Sequence, residues 1–402
     1  MNAVLCHNPP RFLMLICCYR FSLTIMVFVN YGGGGYWFFQ HAPWNGLTVG
    51  DLVMPWFVFI IGTSVVLAIS SMQRRGVGRW QLIRKVTWRT VVLLLLGFCF
   101  LNYSPRDGPL SWSWLRVPGV LQRLGFTYLV LSLLQIFWGL IPVPLRTVSL
   151  SDKLTPVSDL TLYWPQWLII VLLETVWLCL TFLLPVPNCP TGYLGAGGIG
   201  DNGLHPNCTG GAAGLIDRWM FGDNMYRYPT CKEMYQTTQP FDPEGVLGTI
   251  NSVLMGFLGM QAGKIIIFYK GSNVAILGRF LAWAVLLGSS AAILTKCTRD
   301  AGFIPVAVLV TCMGCFSFLL LGAMYFVIDV KGWWRGRPFI FPGMNSILVY
   351  VGHSLLGFYF PFSWDMRLLD SHWELLFMNL WGTALWVLVS YGLYRKQFFL
   401  KI

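Results

Sequence analysis

The chain has 402 residues, of which 56% are hydrophobic and only 11% charged, with a formal net charge of +12. A soluble chain carries roughly 25% charged residues, so this composition excludes an ordinary globular domain. The basic excess falls in short stretches between apolar runs, which speaks for membrane orientation and against nucleic-acid binding.

The predicted fold is an all-α polytopic membrane protein. It is a single domain over 1–402 with about ten transmembrane helices and one long luminal loop. In chain order the predicted spans are 11–31, 51–72, 86–104, 118–141, 165–185, 245–269, 275–295, 304–328, 339–360 and 375–394. Pro55 lies inside the second, Pro118 opens the fourth, and Pro342 with Gly343 interrupts the ninth. Neighbouring helices can satisfy the backbone groups that such residues free. The start, MNAVLCHNPPR, runs into an apolar stretch with no small-residue cleavage site, so no cleaved leader is expected.

Loop charge sets the expected orientation. After the second span come Arg74, Arg75, Arg79, Arg84 and Lys85 without an acid. By parity the same side holds Arg146, Lys153, Lys264, Lys270, Arg279, Lys331, Arg335, Arg337, Arg395, Lys396 and Lys401. The other side is richer in acids: Asp51, Asp107, Asp201, Asp217, Asp223, Asp242 and Glu244, with Arg106. The positive-inside rule then places both termini in the cytosol.

The loop at about 186–243 therefore faces a lumen. It holds the sequon Asn207-Cys208-Thr209, which is glycosylated only in a secretory lumen. It also carries Cys189, Cys208 and Cys231, enough for one disulfide and one free thiol, with Cys189–Cys208 the favoured pair. A second sequon, Asn102-Tyr103-Ser104, lies too close to the membrane to be expected in use. The remaining cysteines have no metal-site spacing with histidines and read as small apolar fillers, so no metal is expected.

Between the first two spans lies NYGGGGYWFFQHAPWNGLTVGD (Asn30–Asp51), which sets His41 and Asp51 at a helix mouth. Ionisable groups at such a place are functional candidates. An imidazole there can act as general base or acyl-accepting nucleophile. Asn30 can donate an amide hydrogen bond to a developing oxyanion. Asp51 either orients the imidazole or caps the second span. The bland alternative is an interfacial aromatic belt (Tyr36, Trp37, Phe38, Phe39, Trp44) with an incidental histidine.

This region closely resembles the lysosomal heparan-α-glucosaminide N-acetyltransferase family. So do RVPGVLQRLG (Arg116–Gly125), WPQWLIIVLLE (Trp164–Glu174), LTFLLPVPNCPTGYLGAGGIGDNG (Leu180–Gly203) and NCTGGAAGLIDR (Asn207–Arg218). DPEGVLGTINS (Asp242–Ser252), PGMNSILVYVGH (Pro342–His353) and TALWVLVSYGLYRK (Thr383–Lys396) extend the likeness. It implies a lysosomal membrane enzyme that moves an acetyl group from cytosolic acetyl-CoA to the terminal non-reducing glucosamine of heparan sulfate in the lumen. His41 would accept the acetyl group or act as base, with Asn30 its partner, by ping-pong or direct transfer. A homodimer is also implied.

Other residues take weaker assignments within that frame. Arg123, too costly in lipid to be idle, binds the CoA arm or pairs with Glu174. Lys85, Arg84 and Arg89 meet CoA phosphates, although orientation bias already accounts for them. Glu244 and Asn251, seven apart, share a helix face and line the sugar site with Asp51, or merely join helices. Asn345 and His353 share a face and read as structural. A transporter would more naturally show symmetric half-helix breaks, which are not evident.

Two departures stand out. The resemblance implies a luminal domain and another helix before this region, and a Ser-x-Asp-x-x-Arg-Gly motif where MLICCYR (Met14–Arg20) stands here. It also implies an Asn-Lys-x-x-Trp stretch after the Gly302–Val306 run, which here passes straight into AVLVTCMG. The chain is thus read as an N-terminally truncated or variant form.

Overall fold

The computed structural model describes residues 13–103, 111–139, 158–298, 306–334, 336, 339, 341–365 and 371–400. Several residues used in the orientation argument lie outside them: Arg106, Asp107, Arg146, Lys153, Arg335, Arg337 and Lys401. So do Ser104 of the second sequon and Pro305 before the eighth span.

Helices order the described chain, and no strand forms among these residues. They are α1 (Leu13–Asn30), α2 (Val49–Arg74), α3 (Arg79–Leu96), α4 (Val120–Trp138), the short α5 (Ser158–Thr161), and α6 (Trp164–Leu183). Beyond these come α7 (Gly211–Phe221), α8 (Lys232–Tyr235), α9 (Val246–Phe268), α10 (Asn273–Thr298), α11 (Val306–Tyr325), α12 (Ser346–Leu356) and α13 (His372–Arg395).

Seven helices among the described residues are long and apolar enough to cross a membrane, against about ten expected spans: α2, α4, α6, α9, α10, α11 with its continuation to Val330, and α13. The other three predicted spans are helical but fall short. α1 contributes an apolar stretch over Arg20–Asn30. α3 carries Arg79, Arg84, Lys85 and Arg89 in 18 residues, which lowers its hydropathy. The ninth span is broken: Pro342–Asn345 form a separate 3-10 turn, leaving α12 only 11 residues.

α9 is the axis of the bundle. Its residues are buried on nearly every face from Leu247 to Ile266, as expected of a helix that is apolar all round. It meets α2 at backbone contact. A β-carbon on Gly62 would lie 1.8 Å from the Gly256 carbonyl oxygen, and one on Gly259 would lie 1.9 Å from that of Phe59. Thr63 Oγ1 donates to the Gly259 carbonyl at 2.9 Å. Small residues that let backbones approach are the usual means of joining helices where lipid removes the hydrophobic drive. By contrast, α6, α10 and α13 leave Leu172, Val285, Ile293 and Leu388 exposed, as lipid-facing surfaces require.

One end of α9 is held by a buried polar cluster. Lys264 Nζ donates to Gln166 Oε1 at 2.5 Å and sits over the Tyr163 ring, 4.3 Å from its centroid. Gln261 Nε2 donates to Asp159 Oδ2 at 3.3 Å, and Arg279 lies 3.4 Å from the other Asp159 oxygen. At the opposite end, segments 31–48, 111–119 and 184–245 gather with the first turns of α13 into a cap. Trp44 Nε1 donates to the Leu194 carbonyl at 3.0 Å, and its ring lies against Phe241. Gly34 packs on Leu376. A disulfide joins Cys189 to Cys208 within the cap, and Cys231 is a free thiol whose Sγ reaches the Pro43 carbonyl.

Candidate active site

α2 begins at the cap with a reciprocal capping arrangement built on Thr48 and Asp51. Asp51 Oδ2 accepts from the backbone amides of Thr48 at 3.1 Å and Ala42 at 3.2 Å, and from Thr48 Oγ1 at 3.0 Å. Its other oxygen, Oδ1, lies 2.8 Å from His41 Nδ1. Asp51 therefore does both things considered for it: one oxygen caps the helix and the other orients the imidazole. A carboxylate only accepts, so Nδ1 carries the hydrogen and Nε2 keeps a lone pair. The His41 side chain is 65% exposed, against 20% for Asp51. The Asp51 hydrogen bond raises the His41 pKa above 6.5; burial opposes this, and the charges of Asp51 and Glu244 add to it.

Asn30, the last residue of α1, is exposed, and its Nδ2 lies 2.9 Å from Nε2 of buried His353. His353 Nδ1 lies 3.0 Å from the Val349 carbonyl one turn back on α12. Asn345, read with His353 as structural, hydrogen-bonds the segment after α13: its Nδ2 donates to the Phe398 carbonyl, and its Oδ1 accepts from Leu400 N. The two catalytic candidates thus belong to separate pairs, Asn30 with His353 and His41 with Asp51. Phe39 links them indirectly, packing edge-on against Phe28 of α1 with centroids 5.1 Å apart.

A third cluster was not foreseen in the sequence. Arg116 grips buried Asp242 with two parallel bonds, Nε to Oδ2 at 2.9 Å and Nη2 to Oδ1 at 2.6 Å, and also donates to Glu244. The amides of Tyr226 and Glu244 each donate to Asp242 at 3.0 Å. Burial opposes the Asp242 charge, yet the Arg116 fork holds it below the usual carboxylate range. Burial pushes Glu244 upward despite Arg116. Asp217 of α7 accepts from Val246 N at 3.0 Å, capping α9, and burial pushes it up to about 6. The signal for this cluster was the acidic Asp-Pro-Glu run directly before a membrane helix.

The expected shared face of Glu244 and Asn251 does not form. Glu244 precedes α9, separated from it by the extended N-cap Gly245, whereas Asn251 is buried inside the helix. The three basic candidates are also dispersed. Arg123 donates to Ser252 Oγ and, at 3.4 Å, to the Pro243 carbonyl, which places it at the cap end beside Glu244 rather than on Glu174. Gly97 sits against Gln122, so Lys85, twelve residues earlier on α3, lies roughly 18 Å along the axis from the level of Arg123. Lys85 is exposed, and Arg89 lies over the Tyr128 ring at 5.0 Å. Asn207 is exposed, with Oδ1 accepting from Thr238 Oγ1 at 2.7 Å. Among the described residues no group of three or more metal-ligating side chains assembles.

No family model matches the chain. A Mus musculus protein named heparan-alpha-glucosaminide N-acetyltransferase is 53% identical over 388 residues, covering 95% of this chain and 59% of that protein. The Homo sapiens protein of the same name is 52% identical over 401 residues, covering 98% of this chain and 60% of its own length. The chain thus spans about three fifths of the length of the curated relatives it matches. More than half of this chain's residues are thus shared, across nearly its whole length, with these two heparan-alpha-glucosaminide N-acetyltransferases.

Proposed function

We propose that the chain is the catalytic membrane unit of an acetyl-CoA-dependent N-acetyltransferase acting on the terminal non-reducing glucosamine of heparan sulfate. The observation that carries this reading is the Asp51–His41 pair: an oriented imidazole with a free Nε2, held at an exposed helix mouth. The names of the relatives supply the acceptor class.

In direct transfer, His41 Nε2 takes a proton from the glucosamine nitrogen. That nitrogen bonds to the acetyl carbonyl carbon, the carbon–sulfur bond breaks, and CoA leaves as thiolate. In the two-step route His41 Nε2 bonds the acetyl carbon as the carbon–sulfur bond breaks and CoA leaves as thiolate. The amine nitrogen then bonds that carbon, the Nε2–carbon bond breaks, and the freed Nε2 takes the amine proton. Asn30 has an amide hydrogen to offer the carbonyl oxygen as charge develops in either route. Glu244, Asp51 and Asn251 lie on the acceptor side of this scheme. Arg123 shares the cap end with them, so its position favours the sugar over the CoA phosphates; exposed Lys85 and half-buried Arg89 are better placed for the donor. The charge pattern of the loops supports a lysosomal orientation with the His41 cap in the lumen and both termini in the cytosol.

The test uses membranes bearing the full chain, labelled acetyl-CoA and glucosamine. Transfer falls about 10²–10⁴-fold in His41→Ala if the imidazole is base or nucleophile. Wild-type turnover in that variant sinks the assignment.

A further inference from the structure

We propose that His353 is a positioning residue for Asn30. It decides that the amide face of the Asn30 carboxamide, and not the carbonyl face, is committed on the helix side of the site. The inference rests on the acetyl-transfer reading above.

The hydrogen-bond pattern leaves one consistent assignment. His353 Nδ1 faces the Val349 carbonyl at 3.0 Å, and a carbonyl only accepts, so Nδ1 carries the hydrogen. Nε2 then holds a lone pair, and the atom 2.9 Å from it must donate: it is Asn30 Nδ2. Turning the carboxamide over would set Oδ1 against the Nε2 lone pair. The imidazole cannot adjust to that, because it is buried and walled by rings. Tyr31 stands edge-on to it with centroids 6.2 Å apart, and Tyr350 does so at 5.4 Å. Tyr31 is itself fixed, its hydroxyl accepting from Trp386 Nε1 at 2.7 Å.

Asn30 is exposed where His353 is not. The second hydrogen on Nδ2 is therefore free for a ligand, and its direction is set by the first. A lone asparagine at a helix end has two near-equivalent amide orientations, only one of which presents that donor. His353 removes the other. The acetyl carbonyl oxygen is the group in the proposed reaction that needs a fixed donor. His353 touches neither substrate and acts through Asn30 alone.

A double-mutant cycle on acetyl transfer, run with the full chain in membranes, tests this. Asn30→Ala is expected to lower kcat by about 10²–10³-fold. His353→Phe keeps a ring but loses the acceptor, and is expected to lower kcat on the order of tenfold with KM for glucosamine little changed. His353→Gln, which restores an acceptor oxygen, recovers most of that loss. Combining His353→Phe with Asn30→Ala adds nothing to Asn30→Ala alone. If His353→Phe does not elute as a single folded species in detergent, His353→Met takes its place in the cycle. Additive losses, or full activity of the acceptor-free His353 variant beside an impaired Asn30→Ala, overturn the proposal. A fully active Asn30→Ala overturns the donor role of Asn30 and leaves His353 nothing to position. Undiminished transfer in His41→Ala is the separate failure of the underlying reaction scheme.

Discussion

At the scale of single residues, Asp51 carries the most consequence, because its two oxygens hold a helix and an imidazole at once. Asp51→Asn keeps an acceptor for the Thr48 cap but loses the charge that fixes the His41 tautomer. Transfer is expected to fall on the order of 10²–10⁴-fold, measured at saturating substrates. The pH profile gives a sharper reading. His41 works when neutral and its pKa stands above 6.5, so turnover rises with pH through the acid limb. The Asp51 hydrogen bond is the chief cause of that elevation, so in Asp51→Asn the residual acid limb moves to lower pH. A limb that stays in place would mean that another group titrates. His41 and Asp51 were legible in the sequence because they lie ten residues apart at one helix mouth. The Asn30–His353 bond spans 323 residues and the Arg116–Asp242 fork 126, distances over which spacing carries no information.

At the scale of helices, the α2–α9 contact is the element most exposed to test. Gly259 and Gly62 face opposing carbonyls with no room for a methyl group. Gly259→Ala is expected to cost about 1–3 kcal/mol through forced separation of the two helices. Gly278→Ala on α10, where nothing lies within 4 Å, serves as the neutral control. Thermal unfolding in detergent separates them, and equal melting points would remove the argument. In the cap, Cys189→Ser opens a 19-residue separation and is expected to cost about 3 kcal/mol, read by proteolysis of the folded protein. Helix boundaries account for the failed pairing of Glu244 with Asn251. A seven-residue spacing implies one face only if the helix covers both positions, and α9 begins at Val246, two residues after Glu244. The break at Pro342 was legible as a proline, but its outcome, a half-length α12, depends on what packs around it.

At the scale of the whole molecule, hydropathy made the class and most helix positions legible. Span length was less so, because basic residues dilute α3 and a proline turn divides the ninth span. Proton linkage gives the broadest prediction. Asp217, at about 6, Glu244 and His41 all have folded pKa values raised above their ordinary ones. Each therefore contributes stability that is present at low pH and lost as pH climbs through its folded value. Asp242 is depressed and stays ionised over this range, so it does not offset them. Amide exchange in segments 31–48 and 184–245 is expected to slow from pH 7.5 to pH 5 after correction for intrinsic rates. Faster exchange at acid pH would contradict the linkage. A cap firmer in acid suits the proposed luminal placement.

The all-round burial of α9 has a mechanical corollary. Pinned by Asp217 at its start and by Lys264 and Gln261 near its finish, it behaves as a stator against which other parts are measured. His41 hangs from α2, which is locked to that stator by Gly62 and Thr63. Asn30 rides on α1, whose outer half packs with α2, α12 and α13 in one cluster that joins Val27, Val53, Phe57, Val349 and Trp386. The gap between imidazole and carboxamide is thus spanned by the α1–α2 contact, with Phe39 packed on Phe28 beside it. A small slip along it would retime the two groups while leaving both hydrogen-bonded pairs whole.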